Sequence, residues 1–320
     1  MLAAGVAHAF DEHRPFLWGL CYRLTGSAAD ADDLVQETFV RALERPPERT
    51  DLPWRPWLVR VAVNLGKDLL RRRRRRRYVG PWLPSPVETG SEESPPSVEA
   101  LLGGGRSTEG RYDLLESVSY AFLLALEALT PQQRAVLLLR DVFDYTVQET
   151  ADALGLGVAN VKTTHHRARR AMAAYDADRQ IPTRSLQEKT RAALERFLGA
   201  LASGDLRQVE ALLADSVTAL SDGGGEFFAA RVPLRGPARV ARFFTTVERK
   251  RTTDAWSEIR MVNGLPALVT DFLGDRRGAP PRLVLAPRVD GEGRIAALYA
   301  VVASRKLTAI ARAHDRVARV

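Results

Sequence analysis

Val147-Gln148-Glu149-Thr150-Ala151-Asp152-Ala153-Leu154-Gly155-Leu156-Gly157-Val158-Ala159-Asn160-Val161-Lys162-Thr163-Thr164-His165-His166-Arg167-Ala168-Arg169-Arg170-Ala171-Met172 is the stretch from which the rest of the chain can be read. Val147, Ala151 and Leu154 recur at helical spacing, and Gly155-Leu156-Gly157 breaks the pattern. A second helix is predicted over about 158–174. It places Val161, His165, Ala168 and Met172 on one side, at steps of three and four. Lys162, Thr163, His166, Arg167 and Arg170 fall on the other. A short helix, a glycine turn and a helix with a basic free face is how a protein puts side chains into a major groove. The competing reading of such a face is a solvated surface. Turn, periodicity and charge agree here, which favours DNA. His165, on the apolar side, reads as a core histidine.

The charge of the whole chain points the same way. Forty-seven Lys and Arg against 39 Asp and Glu leave +8 over 320 residues, which favours a polyanionic partner and nucleic acid over membrane. The single cysteine, Cys21, excludes an intrachain disulfide and fits a reducing, cytoplasmic setting. Residues 1–13 lack the pattern of a secretory signal. The longest apolar run, 120–129, is broken by Glu127 and too short to span a bilayer. Five histidines offer no zinc spacing with one cysteine. No metal, no cofactor and no membrane partner are expected.

Outward from the helix-turn-helix, helices are predicted over the block 6–77. Phe10, Leu17, Leu20, Cys21 and Leu24 give one apolar face, and Ser27 is the predicted N-cap of a helix over 28–43. That helix carries Ala31, Leu34, Val35, Thr38 and Ala42 inward and leaves Asp32, Asp33, Gln36, Glu37 and Arg41 on its rim. Pro46-Pro47 ends it. Trp54-Arg55-Pro56-Trp57 leads into a third helix, 57–77, whose second half is the arginine run 71–77. Such a run is either solvated or lies against a polyanion. A nuclear-localisation patch is its competing reading, with nothing else in support.

Residues 78–110 turn to Pro, Gly, Ser and Glu. They read as a mostly disordered linker, acidic around 88–99, with one apolar spot at 78–87. Helices resume at about 114, and Thr130-Pro131 opens one of them. Beyond Arg179 a helix is predicted over 183–202. Strands follow at 217–220, 226–232, 255–262, 267–271, 281–288 and 295–303, with a helix at 236–248 among them. This is an α+β pattern with a mainly antiparallel sheet.

In that order the chain resembles an extracytoplasmic-function sigma factor of the sigma-70 family. The residues that carry the resemblance are Leu24-Thr25-Gly26-Ser27-Ala28-Ala29-Asp30-Ala31-Asp32-Asp33-Leu34-Val35-Gln36-Glu37-Thr38-Phe39, Thr130-Pro131-Gln132-Gln133-Arg134, Asn160-Val161-Lys162 and His166-Arg167-Ala168-Arg169. The remainder resembles the subgroup with a fused SnoaL-like domain of NTF2-like fold. Tyr78-Val79-Gly80-Pro81-Trp82-Leu83-Pro84-Ser85-Pro86 is similar to its linker motif, with Ser85 where glutamate is usual. Asp222-Gly223-Gly224-Gly225 matches its glycine motif. Its closing Asn-Pro-Asp-Lys-Leu survives as Lys306-Leu307.

The resemblance implies a multidomain protein: two all-α domains (sigma region 2 bundle, 6–77, and sigma region 4 helix-turn-helix, 113–176), a linker at 78–112, and an α+β NTF2-like cone at 183–307. It implies a sigma factor that directs core RNA polymerase to promoters for transcription initiation, and no enzyme. Asp33, Gln36, Glu37 and Arg41 would dock on the β′ clamp helices of the polymerase, and the β flap is a further partner. Trp54, Arg55, Asn64, Lys67 and Arg71 stand where the family opens the −10 element of promoter DNA, which needs a stacking platform and cations along the single strand. Lys162, Thr163 and His166 would reach −35 base edges, with Arg167 and Arg170 on phosphates. Trp82, Leu83 and Pro84 would meet Asp222, Gly223 and Gly224 in a regulatory contact acting in cis, with no separate anti-sigma factor required. Two rivals stand beside this reading. One is a one-component helix-turn-helix regulator with a ligand-binding SnoaL-like domain. The other is a SnoaL-type isomerase using Asp222 or Asp271 near Trp256 as a buried base, although an aspartate before three glycines is turn chemistry first.

Overall fold

The computed structural model describes residues 2–47, 53–75, 78–90, 111–250, 254–273 and 278–312, with the side chains of 2–6 left aside. The described residues fall into two compact units, one from Met1–Arg77 with Ser94–Ile181, the other from Tyr78–Glu93 with Pro182–Val320. Most of the acidic stretch expected around 88–99, and the last two arginines of the run, lie outside the described residues.

The first unit is helical. Helix α1 (Leu2–Thr25), α2 (Ala28–Glu44) and α3 (Arg55–Arg75) pack around Leu17, Leu20, Leu24, Leu34, Val35, Leu58, Val59 and Ala62, all buried. Ser27 caps α2, its Oγ accepting from the Asp30 N–H at 3.2 Å. All five residues expected to face inward on α2 are buried, and Ala28 and Phe39 are buried with them. At Gly66 a Cβ would run into the Leu24 side chain, so the absence of a side chain there is what lets α1 and α3 close.

The second helical domain follows as α4 (Tyr120–Ala125), α5 (Pro131–Leu137), a π-turn at Leu138–Val142, α6 (Val147–Leu154), α7 (Val158–Ala171) and α8 (Ala173–Ala177). Reciprocal capping boxes start α5 (Thr130 with Gln133) and α6 (Thr146 with Glu149), each satisfying two donors that a helix end leaves free. Arginines join the two helical domains. Buried Arg134 donates across to the Leu24 carbonyl at 2.9 Å, while Arg73 donates within its own domain to the Thr25 carbonyl at 2.7 Å and across to Glu127 at 3.0 Å. Both carbonyls belong to the C-terminal turn of α1, where they lack helical partners and the dipole favours cations. Buried Arg23 donates to Ser117 Oγ and to the Leu114 carbonyl.

The second unit is α+β. Helices α9 (Arg184–Ser203), α10 (Leu206–Ala211) and α11 (Pro237–Arg249) join a seven-stranded sheet. The strands are β1 (Glu88–Gly90), β2 (Leu213–Asp222), β3 (Leu234–Arg235), β4 (Ala255–Val262), β5 (Leu265–Phe272), β6 (Arg282–Val289) and β7 (Ile295–Val301), in the order β1-β4-β5-β6-β7-β2-β3. Among the described residues, only the β2–β7 pairing is parallel. Phe197 and Val209 from the helices, with Phe244 from α11, pack on Val217, Leu285, Ile295 and Leu298. Asn263-Gly264, both at positive φ, makes the two-residue turn between β4 and β5.

Two expectations differ from the structure. Residues 226–232 form no strand: the chain turns at 223–225, the Glu226 carboxylate accepts the Ser304 N–H, and Phe228 is 82% exposed. A Phe-Phe-Ala-Ala run without alternation has no half-buried face to offer a sheet. The linker read at 78–112 also begins as structure. Residues 83–87 are buried, and 88–90 add an edge strand beside β4. Val87 exchanges hydrogen bonds with Asn263, its N–H donating to Oδ1 at 3.0 Å and its carbonyl accepting at 2.9 Å.

Gly66→Ala is therefore expected to destabilise the chain by about 1–3 kcal/mol through overpacking against Leu24, despite the better helix propensity of alanine. A urea unfolding midpoint at or above that of the wild type would contradict this packing.

Candidate nucleic-acid interface

Glycine at 155 sets the angle between α6 and α7. It sits at φ 63°, ψ 39°, a left-handed conformation that other residues rarely adopt, and its N–H closes α6 onto the Ala151 carbonyl. Val161, Ala168 and Met172 are then buried, while Lys162, Thr163, His166, Arg167 and Arg170 are all exposed on the opposite side of α7. The Thr163 hydroxyl donates to the Ala159 carbonyl at 3.0 Å, so toward a ligand it acts as an acceptor.

The third side of α7 is tied down electrostatically. Asp141, buried on the π-turn, faces His165 Nε2 at 2.9 Å and takes Arg169 through Nη2 at 2.6 Å and Nε at 3.1 Å. Burial by itself would raise the Asp141 pKa. The hydrogen bonds from His165 and Arg169 outweigh it and hold this carboxyl below the usual carboxylate range. His165, read as a core histidine, is thus half-buried in an ion-paired cluster. Asp141 was not singled out in the sequence, and Arg169 only as part of a motif, because their partnership spans 28 residues.

On α3 the predicted residues do not share one environment. Trp54 and Trp57 are half-buried and edge-on, with centroids 6.5 Å apart. Arg55 is exposed, yet its guanidinium lies 3.9 Å from the Phe16 ring and 5.8 Å from the Tyr145 ring. Asn64 is exposed and Lys67 half-buried. Burial, helped by Arg71, lowers the Lys67 pKa. The arginine run divides. Arg73 and Arg74 are bonded inward, to Thr25 and Glu127 and to the Leu129 carbonyl respectively. Arg71, Arg72 and Arg75 instead line an open groove of about 460 Å³ with Arg41, Leu65 and Asp68. Arg41, expected on the polymerase face, and Arg71, expected on the DNA face, meet in this groove. On α2, Asp33, Gln36, Glu37 and Arg41 are exposed beside Val40 and Leu43, which are also exposed. Glu37 and Arg41 pair at 3.0 Å.

In the second unit the buried carboxylate of Asp222 bonds two of the residues expected in the regulatory contact, Leu83 and Gly224. Asp222 accepts from the Tyr78 hydroxyl at 2.6 Å, the Leu83 N–H at 2.7 Å, the Gly224 N–H at 3.0 Å and Lys306 Nζ at 2.5 Å. Lys306 also donates to the Leu83 carbonyl, and its ammonium lies 4.3 Å from the Trp82 ring and 4.9 Å from the Tyr78 ring. Leu83 and Pro84 are buried. At Gly223 a Cβ would strike the Phe227 carbonyl oxygen. At Gly224, φ 61°, it would come within 2.9 Å of Ala303. Tyr78 was absent from the predicted set. Lys306 was visible in the sequence only as the remnant of a motif.

A helix-turn-helix with a free basic face, a second helical domain and an α+β extension define a DNA-binding transcription factor of several domains. Comparison with known proteins narrows the class. The family profile of Sigma-70 region 2 matches residues 9–76, and that of Sigma-70, region 4 matches residues 119–172. ECF RNA polymerase sigma factor SigJ of Mycobacterium tuberculosis is 30% identical over 307 residues, 93% of this chain and 92% of that protein. SigG of the same species is 35% identical over 228 residues, 65% of this chain and 59% of that protein. The crystal structure of M. tuberculosis SigJ superposes with a TM-score of 0.68 at 28% identity, covering 95% of this chain and 98% of that one. The chain belongs to the ECF RNA polymerase sigma factors of the sigma-70 family, with helical regions 2 and 4 followed by an NTF2-like cone. Among the described residues, no helix is long and apolar enough to cross a membrane, and no cluster of three or more His, Cys, Asp or Glu could hold a metal ion.

Asp141→Asn is expected to cost about 1–3 kcal/mol at neutral pH, the range for charged hydrogen bonds in a partly screened site. Because the folded pKa is depressed, the wild-type advantage is present above the unfolded value, near 3.9. It is lost as pH falls through the lower folded value. Urea midpoints of the two proteins should converge below about pH 4. A gap that persists unchanged in acid would show that the carboxylate charge is not what anchors α7.

Proposed function

We propose that this sigma factor reads promoters with two separate faces and is governed in cis by its extension. The acidic and apolar rim of α2 (Asp33, Gln36, Glu37 and Arg41, with Val40 and Leu43 beside them) docks on the β′ clamp helices, and the second helical domain meets the β flap. Charge of both signs there sets register and partner choice more than affinity. Lys162, Thr163 and His166 read −35 base edges, with Arg167 and Arg170 on phosphates. Trp54, Arg55, Asn64, Lys67 and Arg71 hold the opened −10 strand, and the groove lined by Arg71, Arg72 and Arg75 takes a backbone phosphate.

The observation that carries the cis-control reading is the engagement of residues 78–90 by the extension, through Asp222 and the β1–β4 pairing. These residues lie in the connection between the two promoter-reading domains, so the extension acts on them without a separate anti-sigma factor. The isomerase alternative is disfavoured by the same geometry. Asp222 is committed to Lys306, Asp271 is paired with Arg282 at 2.5 Å, and Trp256 is 58% exposed. A general base needs a free carboxylate in a pocket.

Transcription in vitro with bacterial core RNA polymerase on a library of upstream sequences tests the reading. Promoter-specific initiation that requires this chain is expected. Truncation beyond Arg179, or Asp222→Ala in the full chain, should change transcript output several-fold while core binding is retained. Unchanged output from both would overturn control in cis. Duplex binding without core binding or transcripts would instead identify a one-component regulator.

A further inference from the structure

The extension carries a charged surface that neither promoter recognition nor the Asp222 contact uses. Residues 231–250 hold six basic side chains and one acidic one, Glu248. Helix α11 turns Val240, Ala241, Phe244 and Thr245 into the core. Arg239, Arg242, Arg249 and Lys250 are exposed and fall within about a 100° arc on the outer side, along about 16 Å of axis. Arg235 is exposed two residues before the helix. Among the described residues, the guanidinium groups of Arg235, Arg239 and Arg242 make no ion pair or hydrogen bond; only the Arg242 carbonyl is engaged, accepting from the Thr246 hydroxyl.

Helix stability does not account for this pattern. The first turn of α11 contains no acidic residue, and Arg239 and Arg242 stand in its N-terminal half. There the helix dipole disfavours cations and favours Asp or Glu. Solubility needs no such sorting either, since mixed charge serves it as well.

We propose that this arginine stripe of the extension is a sequence-independent contact for the phosphate backbone of duplex DNA. Arginine outnumbers lysine, and the planar guanidinium matches phosphate in two-point geometry. A lipid surface is a poorer fit, because a membrane-binding helix needs a free apolar face and that of α11 is spent on the core. An acidic protein surface is also a poorer fit, because stable protein interfaces centre on buried aromatic and apolar anchors, which the stripe lacks. The covalent link to a promoter-reading domain makes even weak phosphate contacts count through effective concentration. The inference rests on the promoter-binding reading above.

The test is a salt titration of duplex binding by the full chain with core RNA polymerase, comparing wild type with the triple variant Arg235→Gln, Arg239→Gln, Arg242→Gln. Three lost phosphate contacts should reduce the slope of log affinity against log salt by about 2–3. The loss should be the same for unrelated flanking sequences, whereas Lys162→Gln in α7 should act mainly on sequences carrying the preferred −35 element. An unchanged slope in the triple variant, with wild type still binding, would overturn the stripe proposal and leave promoter recognition standing. Wild type that binds no duplex at any salt would overturn both. A triple variant that keeps its slope on DNA but loses binding to phosphatidylserine vesicles would overturn the stripe as a DNA contact and assign it to membrane. Circular dichroism identical to wild type is expected, since the three side chains are exposed.

Discussion

A carboxylate with no solvent exposure cannot stand alone, and much of the second unit is organised around Asp222 for that reason. Leaving it unpaired would cost several kcal/mol of desolvation. The fold supplies a cation, a hydroxyl and two amide donors from four places in the sequence: Lys306, Tyr78, Leu83 and Gly224. The glycines after Asp222 let the turn close beneath Ala303 and the Phe227 carbonyl. The aromatic rings of Trp82 and Tyr78 shield the ammonium of Lys306 in turn. Removing any one partner leaves buried charge or a buried donor unmet. The cluster therefore behaves as a unit, and it fixes residues 78–83 to the end of β2, more than a hundred residues later in the chain.

The helical unit uses the same device twice more. Buried Asp141 orients α7 through His165 and Arg169. Buried Glu116 accepts from the Tyr175 hydroxyl at 2.6 Å and from Arg179 at 2.5 and 2.6 Å, holding the segment after α7. Buried Arg134 and Arg23 join the two helical domains through backbone carbonyls. Apolar burial supplies the bulk of the stability in such cores, and it is nondirectional. Paired charges add direction, so that the exposed arginines and lysine of α7 are presented at a defined angle.

Local pattern carried most of the elements. The strands expected at 255–262 and 281–288 match β4 and β6 within a residue, and the three-and-four spacing with Gly155 marked the helix-turn-helix. Ser27, Thr130 and the glycines of 223–225 announced themselves through cap and turn chemistry. What lay hidden depends on distant partners. Tyr78 and Asp222 are 144 residues apart and Asp222 and Lys306 are 84 apart, so no period within a window reveals them. The arginine run looked uniform, yet helical geometry sends Arg73 and Arg74 to carbonyls and leaves Arg71, Arg72 and Arg75 on a groove. Proline-rich composition suggested disorder for residues 78–90. Composition does not count a buried carboxylate waiting for the Leu83 amide, nor the Asn263 side chain that pairs with Val87.

Residues 78–87 are a structural part of the extension and not a free tether. Amide hydrogen exchange on the intact chain distinguishes the two. Leu83 and Val87, whose N–H groups are buried on Asp222 and Asn263, should exchange on the timescale of the β4–β5 ladder, orders of magnitude slower than an unprotected loop. Exchange of both amides at the rate of an open coil, while β4 and β5 stay protected, would contradict it.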